Sequence, residues 1–454
     1  MMENIKKFKM RGLFVSLLTL SLVFTSCDDF LEEYSTIGLS ADKLTDINAM
    51  NSLNAGAYSN MRNINAYEHM QSTTLVRDVL IRRSANWQPW FTWTDAGMPQ
   101  MFNRYGVAYQ AFNKVNTVLN ADIDNMYGTA AEKASAKGDA YFIRAFCYFH
   151  LNNWFSNPTT GKSVPLVTTV MGTTDRVTQA SPAEIMTQVE SDIEAARTNL
   201  AISGGITSYS AATAMAAKIY FYHGKYNLAY ERANEVITSG GFALEQNVAD
   251  IYTKGNTSAE VIFSVITNRS EDTFGSASIG FNNYQADDQN GITSLNPNGV
   301  LGKLRAADPN DKRFTDLMTE KDGVVYTDGK YPNNNVDYIG IRLAEMYLTR
   351  AESNIMVNNT VSAQDVSDVN AVKNRAGASD VVSGTPGKSA MLEIIFNERS
   401  KELYNETGDR FFNTRRLQKS IVNESGNGFI PFSDYSLKLF NLIPDSEIQI
   451  HNLN

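Results

Sequence analysis

Three of the four tryptophans of this chain fall within seven residues, in the stretch Asn86-Trp87-Gln88-Pro89-Trp90-Phe91-Thr92-Trp93. An indole face stacks on the apolar C–H face of a pyranose, and amides such as Asn86 and Gln88 pair with its hydroxyls. The same rings also make rigid anchors for a protein partner. Pro89 and the absence of helical periodicity place the stretch in a loop, where binding residues concentrate. The competing reading buries the rings beneath that loop as a satellite cluster. Asn283, Tyr284 and Tyr326 are weaker candidates of the same kind, in stretches rich in Gly, Asn and Asp.

A second group mixes carboxylates with guanidiniums. Arg342, Glu345, Arg350, Glu352, Glu398, Arg399, Glu402, Arg410 and Arg415 alternate in sign at helical spacing. Two carboxyl groups flanking a glycosidic bond are the machinery of a glycoside hydrolase. Here each acid has an arginine within a turn or on a partner helix, which favours ionised pairs over a raised-pKa general acid. Arg342, Glu345, Glu352, Glu398, Arg399, Glu402, Arg410 and Arg415 are therefore read as a structural ion-pair network.

Other chemistry fails on spacing. The four histidines, His69, His150, His223 and His451, form no His-Glu-x-x-His and flank no cysteine pair, so a zinc site has no support. Ser276 and Ser278 stand at the wrong distances from Gly275 and Gly280 for a nucleophile elbow. Gly387-Lys388-Ser389 resembles the end of a phosphate-binding loop, but the first glycine of that motif falls on Val382, so the segment reads as a helix entry. Around Asp287, Asp288 and Asn290-Gly291, an EF-hand register would put Ala286 and Pro297 at its first and twelfth positions, and neither has a side-chain oxygen to offer. An irregular calcium site there stays open. No other metal or cofactor is expected, and the chain does not read as an enzyme.

Composition sets the frame for these residues. The 454-residue chain is 43% hydrophobic and 20% charged, which fits a folded protein and excludes a disordered or fibrous one. A net charge of −9 argues against a nucleic-acid partner. Two cysteines make at most one bridge, so the fold is not a disulfide framework.

Lys6, Lys7, Lys9 and Arg11 precede a mostly apolar run from Leu13 to Phe24, which is the make-up of a secretory signal and too short to span a bilayer. Phe24-Thr25-Ser26-Cys27 follows and resembles the lipobox of bacterial lipoproteins, with Phe24 where leucine is usual. The expectation is a signal peptide over residues 1–26, cleaved before an acylated Cys27. Losing four basic residues and one acidic one leaves a charge of −12 over 428 residues. Acyl chains hold a protein on a membrane without a spanning helix. Cys147, within Phe146-Cys147-Tyr148-Phe149, reads as a buried thiol.

Most of the remainder has helical periodicity. Residues 46–62 form a first amphipathic pattern, and Tyr105, Tyr109, Phe112, Val115, Val118 and Leu119 line one face of another, with a partner over 134–155. Ser181-Pro182-Ala183-Glu184 is a helix start, and that helix runs to about Leu200. Ala211, Ala212, Ala214, Ala216 and Ala217 give a small face for close packing. Gly224-Lys225-Tyr226 then turns into a helix lined by Leu228, Ala229, Ala233 and Val236, a pattern similar to half of a tetratricopeptide repeat. Hairpins at 105–155, 210–239 and 341–377 predict a mainly α, helical-repeat scaffold with a few short strands, one over 260–265. Loop-rich insertions lie near 156–180 and 265–340.

Four segments together resemble the SusD/RagB family of outer-membrane lipoproteins. They are Tyr141 to Phe149 with Val164-Pro165-Leu166; Ile341 to Glu352; Asn370 to Gly377; and Asn397-Glu398-Arg399-Ser400-Lys401-Glu402-Leu403 with Glu406 to Arg416. Pro444 and Glu447-Ile448 match the family's terminal motif, while Thr407 and Asn413 depart from its pattern. The resemblance covers nearly the whole chain and implies a single SusD-like domain over 27–454. It also implies a cell-surface, lipid-anchored nutrient-binding protein of the outer membrane, serving polysaccharide utilisation. Such a protein captures an oligosaccharide and passes it to a SusC-like TonB-dependent transporter. A peptide ligand, as in the RagB branch, is the alternative within the family. An extracellular hydrolase is the alternative from another class.

Overall fold

The computed structural model describes residues 46–65, 67–83, 86–93, 103–172, 174–200, 206–266, 283–286, 291–333 and 336–453. The signal peptide, Cys27 and the residues of the possible calcium loop, Asp287, Asp288 and Asn290, lie outside them.

Helices α1 (Ile47–Asn65), α2 (Glu68–Leu75) and α3 (Gln88–Thr92) precede the long pair α4 (Arg104–Asn120) and α5 (Ala130–Phe155). Next come α6 (Pro182–Leu200), α7 (Tyr209–Tyr222), α8 (Tyr226–Thr238) and the short α9 (Asp250–Lys254), α10 (Val300–Ala307) and α11 (Lys312–Thr315). The C-terminal part holds α12 (Leu343–Asn358), α13 (Ala363–Arg375), α14 (Lys388–Glu402), α15 (Asp409–Arg416), α16 (Phe432–Tyr435) and α17 (Asp445–His451). The strands are short: β1 (Val79–Ile81), β2 (Val261–Val265), β3 (Thr293–Leu295), β4 (Thr319–Lys321), β5 (Val324–Tyr326), β6 (Tyr338–Arg342), β7 (Ile421–Val422) and β8 (Phe429–Ile430). Among the described residues they form only two-stranded antiparallel pairs, β1–β3, β2–β6, β4–β5 and β7–β8.

The long helices pack in series: α1 against α4 and α5, α4 on α5, α5 on α6, α6 on α7, α7 on α8, α8 on α12 and α12 on α13. This is the predicted mainly α, helical-repeat scaffold. Local chemistry fixes where each helix begins. Thr129 and Glu132 cap α5 reciprocally, Ser181 and Glu184 do the same for α6, and the Ser208 hydroxyl accepts from the N–H of Ala211 to start α7. Gly224 takes a φ of +74° in the turn from α7 to α8, a conformation that costs glycine nothing. The small residues Ala211, Ala212, Ala214, Ala216 and Ala217 are all buried, which lets α7 sit close between α6 and α8. Cys147 is fully buried in the largest apolar cluster, among Phe142, Phe146, Tyr148 and Phe149 of α5.

Two expectations change. Ile341 and Arg342 belong to strand β6, not to the helix that follows. The entire Tyr338–Arg342 run is buried and pairs with β2, and Arg342 is extended (φ −139°) where α12 begins. The tryptophan stretch forms helix α3 instead of a loop, because Pro89 suits a first helical turn and Trp93 closes it in the left-handed conformation (φ 55°).

A close helix–helix contact runs through Gly138 of α5, where a Cβ would lie 2.6 Å from Leu200 Cγ on α6. Gly138→Val should cost about 1–3 kcal/mol of stability in denaturant titrations. Pairing it with Leu200→Ala should cost less than the sum of the two single changes, because the contacts are shared.

Candidate functional site

The carboxylates that suggested catalysis lie inside the protein, paired. Arg342 sends Nη1 to Glu260 (2.8 Å) and to Glu402, Nε to Glu406 (2.8 Å), and Nη2 to the carbonyl oxygen of Glu402 (2.6 Å). Arg375 bridges Glu260 (2.7 Å) and Glu402, while Arg313 pairs with Asp311, Glu398 and Glu402 (2.9 Å). Glu345 meets Lys218 (3.2 Å) and Arg399 (3.4 Å), Arg399 also pairs with Asp409, Arg410 with Asp78, and Glu352 with Arg416. Arg415 departs from the expected network. Among the described residues no carboxylate pairs with it; it donates to the carbonyl of Asn153 (2.8 Å) and lies over the Phe411 ring, and burial lowers its pKa to about 10.

Burial alone would raise the Glu402 carboxyl, but the charges of Arg375, Arg342 and Arg313 hold it well below the usual range. Glu406 and Asp409 are lowered in the same way by Arg342 and by Arg399. Glu68, buried on α2, is brought down to about 2 by His150, Arg104 and the Trp154 N–H, against its own desolvation. Burial raises Asp139 and Asp192, yet both are sealed between helices, one under Thr207 and the other by a bidentate pair with Arg144 (2.8 and 2.7 Å). These buried acids are held in fixed pairs with arginines, hydroxyls and backbone N–H groups.

The aromatic candidates are also inside. Trp87, Trp90 and Trp93 are 5%, 2% and 6% exposed. Trp87 packs on Tyr67 and edge-on to Trp90, each at 4.9 Å between centroids. Trp93 donates its N–H to the carbonyl of Leu75 (3.1 Å), with the Arg77 guanidinium 3.7 Å over its ring. Tyr284 is buried with its hydroxyl 2.9 Å from His69 Nδ1, and Tyr326 lies beneath the Arg82 guanidinium. Asn283 is buried too, its carbonyl accepting from the N–H of Ile292 (3.0 Å); only Asn86 and Gln88 are exposed. The expected stacking platform is thereby corrected. Burying an indole stabilises a fold by several kcal/mol at about 25 cal/mol per Å², more than the 0.5–1.5 kcal/mol that roughly attaches to one aromatic contact. These rings support the loops above them.

An open cleft lies elsewhere, at the start of α4. Asn103 caps that helix by accepting from the N–H of Gly106 (2.8 Å), and Tyr105, Tyr109 and Phe112 rise from it as a ladder. Tyr105 and Tyr109 are 4.5 Å apart, Phe112 meets Tyr109 edge-on at 5.2 Å, and Phe112 stacks on Tyr148 at 3.9 Å. An extended strap over residues 163–172 is held against this helix through its backbone. The Tyr109 hydroxyl donates to the carbonyl of Pro165 (2.5 Å), Asn116 donates to those of Val167 (3.2 Å) and Thr169 (3.0 Å), and Asn120 donates to that of Thr168 (3.1 Å). Asn113 accepts from the N–H of Met171 (3.1 Å). Helix α17 closes the third side with Glu447, Ile450 and His451, whose Nε2 lies 3.8 Å from Glu447 Oε2.

The resulting cleft has a volume of about 460 Å³, within the range of small-molecule sites. Its floor and walls are Tyr105, Tyr109, Phe112, Val167, Met171, Val177 and Ile450; its polar groups are Asn103, Gln110, Asn113, Thr169, Asp175, Glu447 and His451. Among the described residues no three metal-ligating side chains cluster as they would around an ion. Sequence reasoning missed this site because Tyr105, Tyr109 and Phe112 read as one core-facing stripe. The signal available was the second stripe at Asn103, Gly106, Gln110 and Asn113, which repeats at steps of three and four beside it.

Comparison with known proteins sets these features in a family. A family model described as the SusD family matches residues 267–430, and one described as starch-binding associating with outer membrane matches residues 29–221. No curated protein matches in sequence. The fold is similar to that of a SusD superfamily protein from Bacteroides thetaiotaomicron VPI-5482, at 22% identity and a TM-score of 0.75 over 90% of this chain and 98% of that one. A laminarin binding SusD-like protein aligns at 21% identity and 0.73, over 90% and 99%. A SusD-like carbohydrate binding protein from Bacteroides vulgatus ATCC 8482 aligns at 18% and 0.72, over 90% and 97%.

Two outcomes test the interior. Glu402→Gln should cost about 3–5 kcal/mol near neutral pH, because it leaves Arg342, Arg375 and Arg313 short of a partner. The wild-type protein should keep its stability above about pH 4.5 and lose it progressively towards pH 2. Carboxyls with depressed folded-state pKa values stabilise only while ionised, and Glu68 titrates at about 2. Melting temperatures across that range check both. Trp90→Ala should lower stability by about 3–5 kcal/mol, and a Gln88→Ala control should leave it unchanged.

Proposed function

The chain belongs to the SusD/RagB family, and on that premise we propose that it is a binding protein, not an enzyme, that captures a glycan at the cell surface and passes it to a partner TonB-dependent transporter. The observation that carries this reading is the cleft between α4, the 163–172 strap and α17. It combines a half-buried Tyr109, backed by the buried Tyr105 and Phe112, with amide and carboxylate groups that match the hydroxyls of a sugar. The printed descriptions of similar proteins agree: one family model is named for starch binding, and one solved structure for laminarin binding. A role without catalysis is supported by Glu402, Glu406 and Asp409, which arginines hold below the usual carboxylate range in the interior.

Among the described residues no helix is long and apolar enough to cross a membrane. Attachment to the outer membrane is assigned to acylation of Cys27 after removal of residues 1–26, with one domain following it. The transporter partnership rests on the family alone, and co-purification with the transporter from outer membranes tests it.

Calorimetry of the soluble protein lacking residues 1–27, against a panel of glycans and a panel of peptides, tests the function. Glycan binding should fall at least tenfold in Gln110→Trp, which fills the cleft from an exposed helix position, with the melting temperature unchanged. Binding to peptides alone would overturn the glycan reading. Undiminished glycan binding in Gln110→Trp would move the site away from the cleft.

A further inference from the structure

Resting on that reading, we infer that the cleft selects uncharged glycans and excludes those bearing carboxylate or sulfate groups. The sign of its lining carries the inference. Among the described residues, the charged side chains that line it are Asp175 and Glu447, both acidic, and no lysine or arginine is with them. His451, the one basic side chain present, is already turned to Glu447 at 3.8 Å.

The cations nearest in sequence are engaged by other groups of the protein. Arg104, between Asn103 and Tyr105, is buried and donates to the carbonyl of Ile64 (2.6 Å) and to Gln71 (3.1 Å). Arg176 donates to the carbonyls of Thr174 and Asp175 (both 3.1 Å), and Lys114 donates to the carbonyl of Gly56 (3.3 Å) and to Asn60 (3.0 Å). Recognition of a carboxylate or sulfate relies on a guanidinium fork or an ammonium, and this cleft presents neither. An anionic sugar entering it would lose water and meet charge of its own sign. A neutral sugar instead offers hydroxyl donors, which Asp175 and Glu447 accept as charge-assisted hydrogen bonds, and acceptors, which the amides of Asn103, Gln110 and Asn113 can fill. Asp175 is held for this task by accepting from the N–H of Gly172 (2.7 Å), which fixes the carboxylate at the end of the strap.

The test uses pairs of glycans that differ only in charge, a series of α- and β-linked homoglucans and the same polymers oxidised to the carboxylate at C6, titrated into the soluble protein by calorimetry. The neutral member of a pair should bind at least tenfold more tightly at low salt, with the gap narrowing as salt screens the repulsion. Asp175→Asn and Glu447→Gln should shrink the gap by raising affinity for the oxidised form, and Gln110→Arg should shrink it further by placing a cation in the rim. Melting temperatures certify that each variant is folded. Equal affinity for the two members of a pair, or a gap that none of the three variants changes, would overturn the inference while leaving glycan capture intact. Failure of every glycan, neutral and oxidised, would overturn the reading on which it rests and the inference with it.

Discussion

The structure depends on a lattice of buried charge centred on Arg342 and Glu402. Arg342 stands where β6 ends and α12 begins, Glu402 ends α14, Arg375 ends α13, Arg313 lies on the short α11, and Glu260 precedes β2. Every participant sits at a junction, where one element hands over to the next and backbone geometry is least constrained by its own hydrogen bonds. Burying this many charges is expensive unless each is matched, and removing one partner leaves the others exposed to the full penalty. Mutual dependence of this kind suits a fold whose connections are long. Between α9 and α12 lie β2 to β6, and the lattice holds the two ends of that span through Glu260 and Arg342.

A second device, built from neutral groups, positions the cleft. Helix α4 turns Tyr109, Asn113, Asn116 and Asn120 to one side, where Tyr109, Asn116 and Asn120 donate to carbonyls of the strap and Asn113 accepts from the N–H of Met171. The side chains do for the strap what a neighbouring strand would do in a sheet, so the segment is held without secondary structure of its own. Because the contacts are to backbone, strap side chains such as Thr169 and Met171 are free to line the cleft. The charge lattice thus secures the scaffold and the amide ladder secures the wall of the site.

Much of this was readable from residue order. The capped starts of α5 and α6, the turn at Gly224 and the alanine face of α7 are local signals, and each appears where its chemistry requires. What escaped was non-local. Whether Trp87, Trp90 and Trp93 face water depends on Tyr67, Arg77 and Tyr435, which are distant in sequence or on other elements. Ile341 and Arg342 have the apolar and basic character of a helix start, and only pairing with β2 makes them a strand. Arg415 sits among paired arginines yet meets a carbonyl and a phenyl ring. The cleft needed three segments, around residues 103–113, 167–177 and 447–451, to be brought together, and no periodicity within one of them reveals the others.

The two populations of carboxylate in this protein explain how one chain can be rich in acids and still be a binder. In the interior, Glu402, Glu406 and Asp409 are held by arginines below their ordinary range and are buried away from any ligand. Asp175 and Glu447 stand at the rim of the cleft with no guanidinium upon them, the first held by a backbone N–H and the second beside His451. A general acid needs a proton held near neutral pH. A rim carboxylate that accepts from a hydroxyl needs no such proton. On the proposed reading, such a rim attracts hydroxyls and turns away anions.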